Sequence, residues 1–251
     1  VRSSRNLRNV STFCVAARVS EGIVALADTR IVRGAERVSK SKLSLHGDDN
    51  GGAYCVMTSG LRSIRDKLII YAEEELARAP LPEHRLYRVA NLIGEQLRRI
   101  RSEDAAGLAA GGLSFNLHAI VGGRLSKDAA PTLFLVYPEG NWIEVIEDTP
   151  YFVIGRTPYS LALLDRHLRR ARSLREAATL ALLAFEVTAS SVTDVDYPID
   201  MAIMRAGQTR IRKKRYDREE LKAFVANWEA AVDEQIRALP ADWLAPLLAE
   251  E

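Results

Sequence analysis

Thr12, Asp28 and Lys42 are the residues of this chain whose types and spacing offer covalent chemistry. Thr12 heads a strand-like run, Asp28 closes the next one in Ala25-Leu-Ala-Asp-Thr-Arg30, and Lys42 stands in Ser39-Lys-Ser-Lys-Leu43. Three adjacent strands would bring a hydroxyl, a carboxylate and an ammonium to one end of a sheet. An N-terminal threonine activates its own hydroxyl through its free α-amine. A neighbouring lysine favours loss of the hydroxyl proton, and an aspartate holds that lysine charged. Threonine, aspartate and lysine are also common at strand ends as structural residues, so spacing alone leaves both readings open. Other chemistries find less support. His46, His84, His118 and His167 fall one per region with no ligand spacing between them, and the chain has no HExxH, CxxC, GxGxxG or P-loop. No metal or organic cofactor is expected. Cys14 and Cys55 read as buried thiols in a reducing cytoplasm.

The elements that must carry these residues alternate in blocks. Thr12 to Val19 and Ile23 to Ala27 form a hairpin around Glu21-Gly22, and the second strand is apolar almost throughout, as in a sheet covered on both faces. Val38 to Leu45 is a third strand and Ala53 to Thr58 a fourth, across the turn Gly47 to Gly52. Apolar residues three or four apart predict helices over Leu61 to Arg78, stopped by Pro80 and Pro82, and over His84 to Arg101. Ala105 to Gly112 reads as a loop. Leu113 to Val121, Thr132 to Tyr137 and Asn141 to Val145 read as strands. A second helical pair follows, opened by Thr157-Pro158 and by a Ser173/Glu176 capping box. A hairpin over Pro198 to Met204 and Thr209 to Lys213 precedes an amphipathic helix from Asp217 to Leu239. Paired helices outside two antiparallel sheets predict an α+β fold, a four-layer α-β-β-α sandwich with a C-terminal helical extension.

Composition sets outer limits. The chain has 251 residues, 47% hydrophobic and 27% charged, which suits one large domain or two small ones and excludes wholesale disorder or a disulfide-stapled miniprotein. Thirty-five Lys+Arg against 33 Asp+Glu leave a net charge of +2, too small a field to indicate nucleic acid. Arg210-Ile-Arg-Lys-Lys-Arg215 alternates like a solvated edge strand. No run approaches the roughly 20 apolar residues of a membrane helix. The basic Val1 to Asn9 is followed by no apolar core, so a cytoplasmic address is expected.

The segment Thr12-Phe-Cys-Val-Ala-Ala-Arg-Val-Ser-Glu-Gly-Ile-Val-Ala-Leu-Ala-Asp-Thr-Arg30 resembles the start of a proteasome β-type subunit, and more narrowly Anbu, the bacterial ancestral-β-subunit-like family. Tyr137 to Glu144, Asp148 to Gly155, Leu163 to Arg166, Tyr197-Pro-Ile-Asp200 and the tail with Trp228 and Leu239-Pro-Ala-Asp-Trp243 are similar to that family in the same order. The resemblance implies an N-terminal-nucleophile hydrolase of the threonine-peptidase type, assembled as a homo-oligomeric ring or spiral with inward-facing sites. It puts Thr12 on the nucleophile, Asp28 on the supporting aspartate and Lys42 on the active-site lysine. Leu43 follows Lys42 as in the family, although Lys40 has the same parity. Gly60 falls on the oxyanion-binding glycine, and Thr157 and Ser191 lie near the supporting hydroxyls, with Glu186 and Asp194 as possible carboxylates. Arg156 stands where Anbu relatives tend to carry an acid.

The resemblance divides the chain into an N-terminal extension or propeptide over 1–11, a proteasome-like domain over 12–214 and a helical extension over 215–251. Residues 1–11 are either removed by cleavage between Ser11 and Thr12, an artefact of an assigned start, or retained. Retention would make the chain a non-catalytic ring or scaffold subunit. A peptide or protein substrate is expected, without nucleic acid, membrane or cofactor; an ATP-dependent unfoldase is left open. The amphipathic tail is expected to pack on the chain's own core or on a neighbouring subunit.

Overall fold

The hairpin around Glu21-Gly22 forms because its strands bury nearly every side chain. In the computed structural model, which describes residues 12–33, 36–39, 41–48, 51–78 and 84–248, β1 (Phe13–Val19) and β2 (Gly22–Asp28) pair antiparallel. Gly22 has φ +141°, and a Cβ there would come 2.1 Å from the Met204 carbonyl oxygen, so only glycine permits this turn beside its neighbouring strand. β10 (Tyr151–Gly155) lies on the other side of β1, while β11 (Ile199–Arg205) and β12 (Arg212–Tyr216) extend the sheet beyond β2, giving the order β10-β1-β2-β11-β12. A second antiparallel sheet has the order β5-β6-β7-β8-β9, from Leu43–Asp48, Gly52–Gly60, Leu117–Leu125, Thr132–Val136 and Trp142–Glu144.

Strand parity explains the four layers. On β1, Cys14 and Ala16 join Ala25, Ala27, Cys55, Met57 and Ile120 in the core between the sheets. Phe13, on the opposite face of β1, has its ring 6.2 Å from that of Phe185 on α4 (Leu174–Ala189), which pairs with α3 (Pro158–His167). On the far side, α1 (Arg62–Arg78) and α2 (Tyr87–Ala110) cover the second sheet with Ile64, Leu68, Val89, Ile93 and Leu97. The expected α-β-β-α sandwich is the fold. The Ser173/Glu176 capping box is also present: Glu176 N–H donates to Ser173 Oγ at 3.2 Å and Ser173 N–H to the Glu176 carboxylate at 2.9 Å.

Four elements differ from the sequence reading. The strand expected over Val38 to Leu45 is two: β3 (Arg30–Arg33) and β4 (Glu36–Ser39) form their own ribbon, and β5 begins at Leu43. The sign was parity, since Val38 and Leu43 are five apart and cannot face the same way on one strand. The expected loop over Ala105 to Gly112 is the last part of α2. Alanine sustains a helix better than any other residue, and a Cβ on Gly107 would touch nothing, so that glycine sits in open space. Gly112, with φ +74°, then ends the helix. Strand β10, five residues long after Pro150, was not expected. The last strand begins at Arg212 rather than Thr209. Residues 1–11, Lys40, Pro80 and Pro82 lie outside the described residues.

The described chain falls into two units, one ending at Arg215 and one beginning at Tyr216. The second contains α5 (Arg218–Ala238), a 3-10 turn over Asp242–Leu244 and α6 (Ala245–Leu248). No helix among the described residues is long and apolar enough to cross a membrane.

Candidate active site

Thr12 is held from both sides by the strands flanking β1. Its carbonyl accepts from the Arg156 backbone N–H at 2.9 Å, beyond the end of β10. The next N–H, that of Phe13, donates to Asp28 Oδ1 at 2.7 Å, at the end of β2. Gly155 carries a role the sequence reading did not give it. Its φ is +95°, and a Cβ there would lie 1.9 Å from the Thr12 carbonyl oxygen. The available signal was a glycine directly after the apolar run Tyr151-Phe-Val-Ile154.

Asp28 binds the second predicted residue as well. Lys42 Nζ donates to Asp28 Oδ1 at 2.9 Å and to Oδ2 at 2.8 Å. Lys42 stands in the break before β5, which lets its side chain cross from one sheet to the other. The pair is nearly dry, with Asp28 0% and Lys42 7% exposed. Burial pushes the Asp28 carboxyl up to about 6, against the opposing pull of the Lys42 charge and of the Phe13 and Arg30 backbone N–H groups. At neutral pH Asp28 is therefore ionised, and its lone pairs are taken by the two Lys42 donations and by the Phe13 and Arg30 backbone N–H groups. Thr12, Asp28 and Lys42 thus gather at one end of the first sheet.

The remaining predicted residues separate. Gly60 ends β6 with φ +145°, where a Cβ would meet the Asn116 carbonyl oxygen at 2.2 Å, so this backbone is open to glycine alone. Thr58, two residues before it, lines the same cavity as Lys42. Thr157 caps α3 directly after Arg156 and makes no side-chain cap bond. Ser191 lies past the end of α4, where its hydroxyl donates to the Val187 carbonyl at 2.7 Å and serves its own helix. Glu186 accepts from the Tyr197 hydroxyl. Asp194 receives Arg156 Nε at 3.1 Å and Nη2 at 2.6 Å. The positive side chain next to the Thr12 segment is thereby neutralised within the site, a pairing that one sequence does not reveal.

Lys42, alone of the three residues, also lines a cavity of about 110 Å³ between β5, β6 and the paired helices α1 and α2. Val56, Leu68, Ile69, Leu76, Val89 and Ile93 give it an apolar wall. Ser44 Oγ lies 2.7 Å from His46 Nε2 in its lining, and the imidazole stacks on Tyr54 with ring centroids 5.1 Å apart. Burial lowers the His46 pKa, Glu73 pulling weakly the other way, so the ring is neutral near pH 7. Engineered apolar cavities of about 150 Å³ take up benzene, which makes this one suited to a single aliphatic side chain. Among the described residues no three His, Cys, Asp or Glu side chains gather as a metal site would need. Cys14 and Cys55 are both fully buried, and burial raises both thiols.

The proteasome subunit family matches residues 9–204. Among solved structures, a Gly-1 mutant of Anbu from Hyphomicrobium sp. strain MC1 is 31% identical, with a TM-score of 0.82 over 91% of this chain and 98% of its own. The chain belongs to the proteasome subunit family, in its Anbu branch. Anbu from Yersinia bercovieri is 25% identical with a TM-score of 0.81, covering 91% of this chain and 98% of that one. A structure described as the helical assembly of the Anbu complex from Pseudomonas aeruginosa is 25% identical with a TM-score of 0.83, covering 91% and 97%. No curated protein matches the chain.

Proposed function

We propose that this chain is a threonine-type N-terminal-nucleophile hydrolase that cleaves peptide or amide bonds once Thr12 bears a free α-amine. The observation that carries the reading is the dry Lys42–Asp28 pair, tied through Asp28 to the N–H of the residue after Thr12. A buried charge pair is a poor device for stability alone, because desolvation offsets its attraction. Next to a hydroxyl, the same pair lowers the free energy of an alkoxide.

The Thr12 amine takes the Oγ proton as Oγ attacks the carbonyl carbon. The Lys42 ammonium offsets the charge developing on Oγ, and Asp28 keeps Lys42 protonated and oriented. The Gly60 N–H receives the oxyanion, a contribution of the size lost when one such donor is removed, roughly 100- to 1,000-fold in rate. Collapse breaks the C–N bond, and the leaving amine takes back the proton held by the Thr12 ammonium. Water, deprotonated by the same amine, then attacks the ester carbonyl; the C–Oγ bond breaks, Oγ takes the proton back from the ammonium, and a carboxylic acid is released. A second amine in place of water would give transfer by the same intermediate. The cavity that Lys42 lines would receive an aliphatic side chain of the acyl group. Thr157 is proposed as a flanking hydroxyl, whereas the Ser191 hydroxyl is committed to the Val187 carbonyl and is given no part in the reaction.

In this reading 12–214 is the hydrolase domain, 215–251 a helical extension, and the protein works in the cytoplasm as a homo-oligomer. The helical assembly described for the Pseudomonas aeruginosa relative supports the last point. Intact mass and N-terminal sequencing, on wild type and Thr12→Ala together, test the reading, with labelling by a peptidyl electrophile as the readout of nucleophilicity. A wild-type chain beginning at Thr12 and labelled there, with an unlabelled mutant that keeps residues 1–11, is expected. A wild type that keeps those residues and takes no label would overturn the hydrolase reading in favour of a scaffold subunit.

A further inference from the structure

The residues on either side of Lys42 are gripped by a charge cluster that the proposed chemistry does not itself use. Ser41 Oγ lies 2.6 Å from Asp200 Oδ2 and 2.7 Å from the Leu43 carbonyl oxygen. Lys213 Nζ donates to Ser41 Oγ at 2.8 Å and to the same Leu43 carbonyl at 2.7 Å. Arg215 forks onto Asp200, Nε to Oδ1 at 2.8 Å and Nη2 to Oδ2 at 3.0 Å, and Lys213 completes the cluster 3.2 Å from Oδ2. Asp200 is 1% exposed. A hydroxyl donates one proton, so Ser41 serves either the carboxylate or the carbonyl at a given moment, while Lys213 supplies both the hydroxyl and the carbonyl.

The location gives this cluster its meaning. β12, which carries Lys213 and Arg215, is an edge of the first sheet, and β5 is an edge of the second. The register of β5 with β6 begins at Leu43, so Lys42 stands one residue ahead of it, between the two residues that the cluster contacts. β11 places Asp200 opposite Ala27 and Ile199 opposite Asp28, so the cluster is one register position from the carboxylate that Lys42 must reach. The basic run of β12 is therefore not simply a solvated edge, since two of its cations are bound to a buried acid.

We propose that Asp200, Lys213 and Arg215 form a positioning clamp that closes the two sheet edges over Ser41 and Leu43 and so aims Lys42 at Asp28 and Thr12. These are positioning residues, not catalytic ones, and their role in the reaction rests on the hydrolase reading above. Displacement of a catalytic group by about 1 Å costs on the order of 100-fold in rate, which sets the scale of the expected loss.

The test compares wild type, Lys213→Met, Lys213→Arg and Asp200→Asn as full chains, with circular dichroism to verify folding. Lys213 is 25% exposed at its side chain, so Lys213→Met keeps a folded comparison available if Asp200→Asn does not fold. The first readout is acetylation of Lys42 by limiting acylating reagent, followed by peptide mass analysis. In wild type Lys42 is protected, and Lys213→Met and Asp200→Asn should acetylate it about tenfold faster or more. The second readout is the labelling rate of Thr12 between pH 6 and 9. It should fall by about 10- to 100-fold in Lys213→Met, with its pH profile displaced upward, and recover in Lys213→Arg, whose guanidinium also has donors for both oxygens. Lys42 protection equal to wild type in the folded variants would overturn the clamp. So would a lowered melting temperature with labelling rate and pH profile unchanged. A wild type that takes no label at Thr12 sinks the hydrolase reading separately, because Lys42 acetylation still reports on the clamp.

Discussion

Replacing Lys42 by methionine separates the electrostatic role of the pair from its packing role. Methionine keeps an unbranched stem directed at Asp28 and removes the ammonium, its charge and its N–H donors together. Asp28 is fully buried, and loss of one partner from a buried ion pair costs about 3–5 kcal/mol because the other charge is left uncompensated. The pH dependence has a definite sign. Asp28 titrates near 6 in the folded protein against an ordinary 3.8, so its contribution to stability is fully present below 3.8 and is lost as pH rises through 6. The gap corresponds to about 3 kcal/mol already in wild type. Without Lys42 the folded value moves higher still, and the loss extends to higher pH. Lys42→Met should therefore be destabilised by about 3–5 kcal/mol at pH 8, or roughly 10 °C in melting temperature. At pH 5, where Asp28 is protonated, the difference should shrink to about 1–2 kcal/mol, the scale of one unmade hydrogen bond. Denaturant unfolding at the two pH values measures this, and Lys42→Met/Asp28→Asn should recover much of the pH 8 loss. Equal destabilisation at pH 5 and pH 8, or a pH 8 loss under about 1 kcal/mol, would refute the reasoning.

Three further outcomes are expected. The Thr12 labelling rate should rise with pH through about 6 as Asp28 ionises; a flat profile from pH 5 to 8 argues against Asp28 as the group holding Lys42. Gly60→Ala forces a Cβ against the Asn116 carbonyl at a φ of +145° and should cost about 1–3 kcal/mol of stability, read by thermal melting. Labelling in that variant should fall roughly 100-fold or more, whereas unchanged labelling would remove Gly60 from the site. Ser191→Ala, which deletes a hydroxyl bonded to its own helix, should change melting by no more than the equivalent of about 1 kcal/mol and leave labelling within twofold; a loss of tenfold would give Ser191 a part in the reaction.

Legibility in the sequence followed the range of the forces involved. The hairpin at Glu21-Gly22 and the Ser173/Glu176 capping box are local, and both were readable because their determinants lie within a few residues. The carboxy-terminal part of α2 was misread because Gly107 and Gly111 look like loop punctuation, whereas alanine propensity and the packing of Leu108 on the core carry the helix to Ala110. β10 was missed because five apolar residues do not by themselves distinguish a strand from a buried helix segment. Pairing along β1 decides the matter.

By itself, the sequence determined the residue types at the site, the alternation of strand and helix blocks, and the two-faced burial of the first hairpin. Those are matters of side-chain chemistry and of periods two and 3.6, which a linear chain carries openly. Only the tertiary structure decided which of those residues meet. Lys42 reaches Asp28 because the chain breaks before β5 and crosses between sheets. Arg156 finds Asp194 across 38 residues, and Ser41 finds Asp200 across 159. Such pairings depend on the closure of two sheets upon each other, and no local propensity encodes the distance between a sheet edge and its counterpart.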